Sequence, residues 1–341
     1  MQKNLPRVKP RSAILFAALT SLTLLLFACD MAVGSVDIPL RDVWAALTGG
    51  GCDAAVRDII LRIRIVKALM ALAAGAALAV AGLQMQTLFR NPLAGPYVLG
   101  ISSGASLGVA LFMLGAPLLG AGVSPVVQSL GVAGAAWVGA AAVLAAVMAV
   151  SRRIKDIMVI LILGMMLGSA IGSVVEILQY IGSEAALKSF VVWTMGSLGD
   201  VTAVQMAIIA PLLAAGFALS VAAVKSLDLL LLGENYACTM GLDARRARTT
   251  VFLSTVLLAG TVTAFCGPIG FVGLAVPHVA RIIFATADHR TLTPASALLG
   301  AAMLLVCDMI SKSLALPVNT VTALTGIPIV VLVVVRNRNM F

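Results

Sequence analysis

The sequence predicts an all-α, polytopic membrane protein with about ten transmembrane helices. Three observations predict it. The chain has 341 residues, of which 61% are hydrophobic and 11% charged, with a mean hydropathy of +1.10, far from a soluble globular profile. Its apolar residues gather into stretches close to the roughly 20 that a hydrocarbon core about 30 Å thick requires of a helix. Two joins between such stretches are dense in Gly and Pro rather than in polar loop residues.

Taken in order, the expected spans are residues 13–33, 66–88, 98–114, 126–150, 157–181, 201–224, 250–265, 272–286, 294–314 and 324–335. The seventh and eighth are short. The first has one other reading. A basic start, an apolar run and Leu26-Phe27-Ala28-Cys29 are similar to a lipoprotein signal peptide. Phe27 fits such a site poorly, so the segment is expected to stay as a first helix. No connection has room for a soluble domain, and residues 1–341 read as a single transmembrane domain.

The two unusual joins are residues 89–104, which hold Asn91-Pro92-Leu93-Ala94-Gly95-Pro96, and residues 267–278, which open Gly267-Pro268-Ile269-Gly270. Pro removes a backbone donor and Gly weakens a helix. Backbone freed in this way is tolerated at membrane depth only where it is buried in protein or lines a cavity. A pair of such breaks, one in each half of the chain, points to a transporter built from inverted repeats.

Charge sets the expected orientation. With the N-terminus inside and alternating crossings, sixteen of the 23 Lys and Arg fall on the inner side and seven on the outer. Basic residues accumulate in cytoplasmic loops, so both termini are expected in the cytoplasm. Five outer cations, Arg41, Arg57, Arg62, Arg64 and Lys67, oppose that bias and call for an outside partner. Asp37, Asp42, Asp53 and Asp58 share the loop and offset part of the charge.

Chemistry inside the chain is not indicated. The five cysteines show no C-x-x-C spacing, so neither a metal site nor a disulfide framework is expected. No phosphate-binding G-x-x-x-x-G-K-[ST] loop occurs, nor any Gly-Lys pair. No Ser/His/Asp or paired-carboxylate arrangement stands out. The chain is expected to be a transport subunit rather than an enzyme, without cofactor, metal or nucleic-acid partner. His278 and His289 read as structural. Asp30, Glu176 and Asp308 are the carboxylates within or beside spans. Asp308 and Lys312, four apart with the acid first, form the favourable order for a helical ion pair. Asp30 and Glu176 are expected to be solvated near the outer boundary. Gly100, Gly104, Gly108 and Gly164, Gly168, Gly172 make two smooth stripes at four-residue spacing, suited to close helix approach.

Three segments carry a resemblance. The run from Gln86 through Asn91-Pro92-Leu93-Ala94-Gly95-Pro96 to Ala105 resembles the FecCD-type permeases of type II ABC importers. Residues 267–278 followed by Asp288-His289-Arg290, and Leu232-Gly233-Glu234-Asn235-Tyr236-Ala237-Cys238-Thr239-Met240-Gly241-Leu242, are similar to two further signatures of that family. The resemblance implies ten helices per subunit in the bacterial inner membrane. It also implies a dimer with a second copy, two cytoplasmic ATP-binding subunits and a periplasmic substrate-binding protein, surrounded by membrane lipid. The implied cargo is an iron chelate (siderophore or haem) or a related complex such as cobalamin.

Site residues follow from the same resemblance. The inner segment 225–248 corresponds to the family's ATPase-coupling element, with Gly233, Glu234, Ala237, Met240 and Gly241 as its candidates. Gly241 suits a helix end that needs a left-handed residue, and two short helices are expected to join there. Arg245, Arg246 and Arg248 read as topological charges. The segment Ile63-Arg64-Ile65-Val66-Lys67 matches the family's Leu-Arg-Leu-Pro-Arg segment, so Arg64, Lys67 and also Lys312 are candidate binding-protein docking residues. Lys67 lacks the bidentate fork of Arg. The fifth span lines the path in the family together with the tenth, which makes Met165, Met166, Gly168, Ser169 and Ser173 candidates to face it. Where small hydroxyl residues close the path in the family's cobalamin members, Asp156-Ile157-Met158 stand here. An ion-coupled secondary transporter is the alternative; it would need titratable residues on the path, and Glu176 is the candidate.

Overall fold

A computed structural model describes residues 10–34, 38–115, 125–151, 153–154 and 156–336. Expectations placed on Lys3, Arg7, Lys9, Asp37, Arg152, Lys155 and Arg338 lie outside the described residues. Among those described, every regular element is helical.

The first half begins with α1 (Pro10–Ala32), which lies along the outside of the bundle. Next come α2 (Leu40–Thr48) and α3 (Ala54–Asp58), the latter capped by the Asp53 side chain, which accepts from Ala55 N at 3.3 Å. A π-helical turn at Ile59–Arg64 joins α3 without a break to α4 (Ile65–Leu88). The join makes one apolar helix of 35 residues. After the first Gly/Pro break come α5 (Ile101–Ala110), α6 (Pro125–Ser151) and α7 (Ile157–Ile181).

The second half starts with α8 (Glu184–Thr194) and α9 (Ala203–Leu231). A reciprocal capping box of Thr202 and Gln205 starts α9. The short α10 (Glu234–Thr239) precedes α11 (Ala244–Thr255), which runs through a π-helical turn into α12 (Thr261–Cys266). Past the second break lie α13 (Val272–Phe284), α14 (His289–Leu314) and α15 (Val318–Arg336).

Seven of these helices are long and apolar enough to cross a membrane, and three shorter apolar ones accompany them, at Ile101–Gly115, Val272–Phe284 and Val318–Val333. They match the ten expected spans, with three corrections. The seventh span is not short, because α11 and α12 form one helix of 23 residues from Ala244. Its first turns look polar, yet Ala247, Val251 and Phe252 are buried there. The sixth span runs on to Leu231 rather than stopping at 224, because Leu227 and Leu230 keep an apolar face buried beyond it. The inner segment is therefore shorter than residues 225–248. Finally, α2, α3 and α8 fill connections that hydropathy alone read as loops.

The core is drawn together by backbone-to-backbone contact. A β-carbon added at Gly75 would land on the Gly300 carbonyl, and one at Gly82 on that of Gly273, so α14 and α13 press directly on α4. The Gly104–Gly108 stripe does the same between α5 and α6, where β-carbons would meet the carbonyls of Gly139 and Ala135. Small residues of this kind let helices gain dispersion contact without a hydrophobic drive between them. Gly82→Ala should therefore lower thermal stability in detergent by about 3 kcal/mol or prevent folding, as overpacking does. Gly134, with open space around its α-carbon, is the control. Gly134→Ala should be neutral or stabilise by up to about 1 kcal/mol through helix propensity, and equal losses at both positions would refute the close-packing account.

Candidate functional site

The two Gly/Pro breaks meet one another. Tyr97, in the first, donates its hydroxyl to Ile269 O in the second at 3.2 Å, and Thr263 Oγ1 lies 3.3 Å from the same hydroxyl. His278 Nε2 lies 2.8 Å from Pro92 O. Gln86 Nε2 donates to Leu274 O at 3.0 Å while its Oε1 accepts from Arg281 Nη1 at 2.6 Å. Around the second break, Gly270 N donates to Asn319 Oδ1 at 2.9 Å and Ser197 N to Cys266 O at 2.8 Å. Side chains thus satisfy backbone that the helices have released, which an apolar surrounding demands. Both histidines have structural partners, since His289 sits 2.8 Å from Thr87 Oγ1 and 2.7 Å from Asp228 Oδ1.

α7 rests on this junction along one edge. Gly164 and Gly168 press on Val98, Leu99, Gly100 and Ser103 of the first break and α5, whereas Gly172 faces open space. The opposite face is bare. Met165 is 50% and Met166 63% exposed, and Ser169, Ser173 and Glu176 are exposed as well. Four of the five residues expected on a path therefore share one uncovered face, and Gly168 is the contact that seats α7 on α5. α15 is also bare, with Leu324, Ile327 and Val331 exposed. Asp156, in the expected gate segment, caps α7 by accepting from Met158 N at 2.8 Å.

The inner segment folds as a bracket. Gly233 (φ +102°) turns the chain out of α9, and Gly241 (φ +86°) ends α10 in the left-handed region expected of it. Ala237 is fully buried, and Glu234 binds Arg248 Nη2 with both carboxylate oxygens. Arg248 is itself buried and reaches Ile154 O, ahead of α7, at 3.5 Å. Reading Arg248 as a topological charge is thus corrected. On the outward side, Leu232, Tyr236 and Met240 are all more than half exposed. Tyr236 and Met240, four apart, form an apolar face on one side of α10, and Leu232 stands at the end of α9, before the turn at Gly233.

At the other end of the bundle four charges are gathered. Lys312 Nζ lies 2.7 Å from Asp308 Oδ2 and 2.9 Å from Asp30 Oδ1, and Lys67 Nζ lies 3.3 Å from Asp308 Oδ1. Both carboxylates are wholly buried. Asp30 is therefore not solvated, because the end of α1 folds it against α14. The Asp308–Lys312 pair is formed as the spacing predicted. Arg64 is buried too, donating through Nη1 to Met31 O and Ala32 O at 2.9 Å each, so it caps the end of α1. The structure brings Arg64, Lys67 and Lys312 into one region, but docking at Arg64 or Lys312 would first have to break these bonds. Arg41, Arg57 and Arg62 are the exposed cations nearby in sequence.

The sequence model of the FecCD transport family matches residues 22–336. The chain belongs to that family. The hemin transport permease HmuU of Yersinia pestis is 34% identical over 97% of this chain and 98% of its own. The ferric dicitrate permease FecD of Escherichia coli is 34% identical over 93% and 98%. The vitamin B12 permease BtuC of Vibrio cholerae is 35% identical over 83% and 84%. A solved inward-facing structure assigned to the metal-chelate type of ABC transporter superposes with a TM-score of 0.81 at 28% identity, covering 95% of this chain and 99% of that one. This FecCD chain is thus an ABC importer permease, a transport subunit with the all-helical permease fold.

Within the FecCD frame, sequence reasoning missed Leu232 and Tyr236 on the bracket, although their spacing to Met240 was legible. It also missed Gln86 and Arg281, whose pairing joins positions 195 apart. The buried charges around Asp30 and Asp308 yield a direct test. Lys312→Met leaves two buried carboxylates with one remaining cation and should cost about 3–5 kcal/mol in detergent unfolding. Adding Asp30→Asn should recover part of that loss. Additive losses in the double variant would show that the two residues are not coupled.

Proposed function

We propose that this chain forms, with a second copy of itself, the membrane path of an importer driven by two cytoplasmic ATP-binding subunits and fed by a periplasmic substrate-binding protein. It sits in a bacterial inner membrane with both termini in the cytoplasm, and it carries an iron chelate, haem or a siderophore complex, or a related complex such as cobalamin. The observation that carries the reading is the bracket of α10. A short helix is held by Glu234–Arg248 and presents Tyr236 and Met240, beside Leu232 at the end of α9, as apolar side chains left exposed among the described residues. An apolar face on a rigid, charged-rimmed stalk is what a partner subunit would need to grip.

The path and the second copy rest on α7 and α15. Their bare apolar faces are costly in any solvent but lipid, a pore or a matching subunit. Met165, Met166, Ser169 and Ser173 combine soft thioethers with small hydroxyls, a lining that can pass a large chelate without holding it. Docking of the binding protein falls to the exposed Arg41, Arg57 and Arg62 together with the partly exposed Lys67, with Arg64 and Lys312 holding that surface from beneath. Haem, vitamin B12 and ferric dicitrate are cargoes named for three relatives and are bulky metal complexes, whereas another relative is named for molybdate, a small oxyanion.

The reading is tested by reconstituting the permease with the ATPase and binding protein encoded beside it. Loaded binding protein should stimulate ATP hydrolysis and uptake of its own cargo among haem, ferric siderophores and cobalamin. Uptake driven by a proton or sodium gradient without the ATPase would overturn it in favour of ion coupling. Tyr236→Asp with Met240→Asp should abolish co-purification of the ATPase while leaving insertion intact. Gly241→Val should do so in part, because a β-branched residue resists positive φ. Gly168→Leu should stop uptake while docking persists. For the outer surface, Arg57→Glu with Arg62→Glu should slow association of the binding protein by about tenfold or more at low salt. An unchanged association rate would remove those residues from the docking surface.

A further inference from the structure

A groove of about 520 Å³ runs between α9 and α14 at the end of the bundle where α10 lies, floored by Val80 of α4. The two helices run in opposite directions, and the lining grades from charged to apolar along both. On α9 the order from the mouth inward is Lys225, Val221, Ser220, Phe217; on α14 it is Arg290, Thr293, Ala297. Lys225 and Arg290 are exposed, and neither forms an ion pair with a described residue. The nearby carboxylates are occupied. Asp228 accepts from His289 N at 2.9 Å and lies 2.7 Å from its Nδ1, and Asp288 accepts from Arg290 N at 2.9 Å.

A second observation points to a ligand. Ser220 is 1% exposed, lines the groove and has no hydrogen-bond partner among the described residues. A helical serine ordinarily bonds the carbonyl four residues back. Here that carbonyl, Gly216 O, already accepts from Ser254 Oγ at 2.9 Å. A buried hydroxyl left in this state costs free energy unless something enters to accept from it. Ser220 lies about 7.5 Å along the helix axis from Lys225 at the usual rise. That separation suits the step from the phosphate of a phospholipid to its ester carbonyls.

We propose that this groove binds an anionic phospholipid of the cytoplasmic leaflet. Lys225 and Arg290 clamp the phosphate, Ser220 donates to an ester carbonyl, and one acyl chain lies along Val221, Phe217, Ala297 and Val80. The two cations favour a headgroup of net negative charge, since in a zwitterionic lipid they also repel the ammonium group, which offsets the attraction of the phosphate. Bound there, the lipid would join the end of α9 that leads into α10 to the start of α14. The inference does not depend on which cargo the permease carries.

The test uses the full-length permease in detergent, with lipids added as phosphatidylglycerol or phosphatidylcholine, read by native mass spectrometry and thermal unfolding. Wild type should retain phosphatidylglycerol and gain several degrees of stability from it, with little response to phosphatidylcholine. Lys225→Ala with Arg290→Ala should weaken phosphatidylglycerol binding by about 30-fold. The pair lies on exposed helix ends, so the lipid-free unfolding temperature should stay unchanged. Lys225→Arg with Arg290→Lys should retain binding, and Ser220→Ala should weaken it less than loss of the two cations. Three results would each overturn the proposal: equal stabilisation by phosphatidylcholine, full phosphatidylglycerol binding by the Ala pair, or the same stabilisation from inorganic phosphate alone.

Discussion

The rest of the structure depends on one constraint. Two stretches of backbone lie outside regular helix within an apolar bundle, and their polar groups need partners that lipid does not supply. The fold meets the demand by laying the stretches against each other, so that Tyr97, Gln86 and His278 reach carbonyls of the opposite break. Asn319, at the start of α15, serves Gly270 N. Once these bonds exist, the relative positions of α4, α5, α13 and α15 follow. The glycine contacts of α4 with α13 and α14 are what let the two halves come close enough to form them.

Charge obeys the same logic at the end of the bundle opposite α10. Asp30 and Asp308 are both wholly buried, and two lysines answer them, so the group is close to neutral as a whole. Breaking such a group is far more costly than its net contribution to stability, because an uncompensated charge would remain. Its effect is positional. α1 has little buried surface of its own, and it is held by Asp30 to Lys312 and by its terminal carbonyls to Arg64. An outer helix that hydropathy alone would leave free to slide is pinned at one end.

Local features of this architecture were legible in the sequence, and long-range ones were not. The breaks, the spans and the left-handed Gly241 each follow from a few adjacent residues whose conformational preference is intrinsic. The ion pair of Asp308 and Lys312 is likewise local, four positions apart. By contrast, Asp30 looked like a solvated boundary residue because its partner lies 282 positions away. Arg64 reads as a docking candidate from the family resemblance, which gives no sign that its guanidinium bonds the carbonyls of Met31 and Ala32, 33 and 32 positions back. Hydropathy also truncated α9 and α11, since a polar residue on the outer face of a helix lowers the average without ending the helix. The path candidates on α7 read as one set, but the sequence does not fix the helical phase that turns Gly168 to α5 and leaves the methionines exposed.

Arg248 joins these pieces into a mechanical argument. It binds Glu234 at the start of α10 and reaches Ile154 O just before α7 begins. Asp156 then caps α7 two residues further on. A partner gripping Leu232, Tyr236 and Met240 therefore acts on a helix whose base is linked to Ile154, just ahead of a span with a broad bare face. The bidentate, charge-assisted bond to Glu234 holds Arg248 firmly, whereas its reach to Ile154 O is long at 3.5 Å. α7 meets the rest of the bundle along one stripe, where Gly164 and Gly168 let the first break and α5 come close and where Ile160, Leu161, Ile171 and Val175 are buried in the core. α7 thus lies one side-chain link away from α10, so a displacement of α10 reaches the chain just ahead of α7 through Arg248.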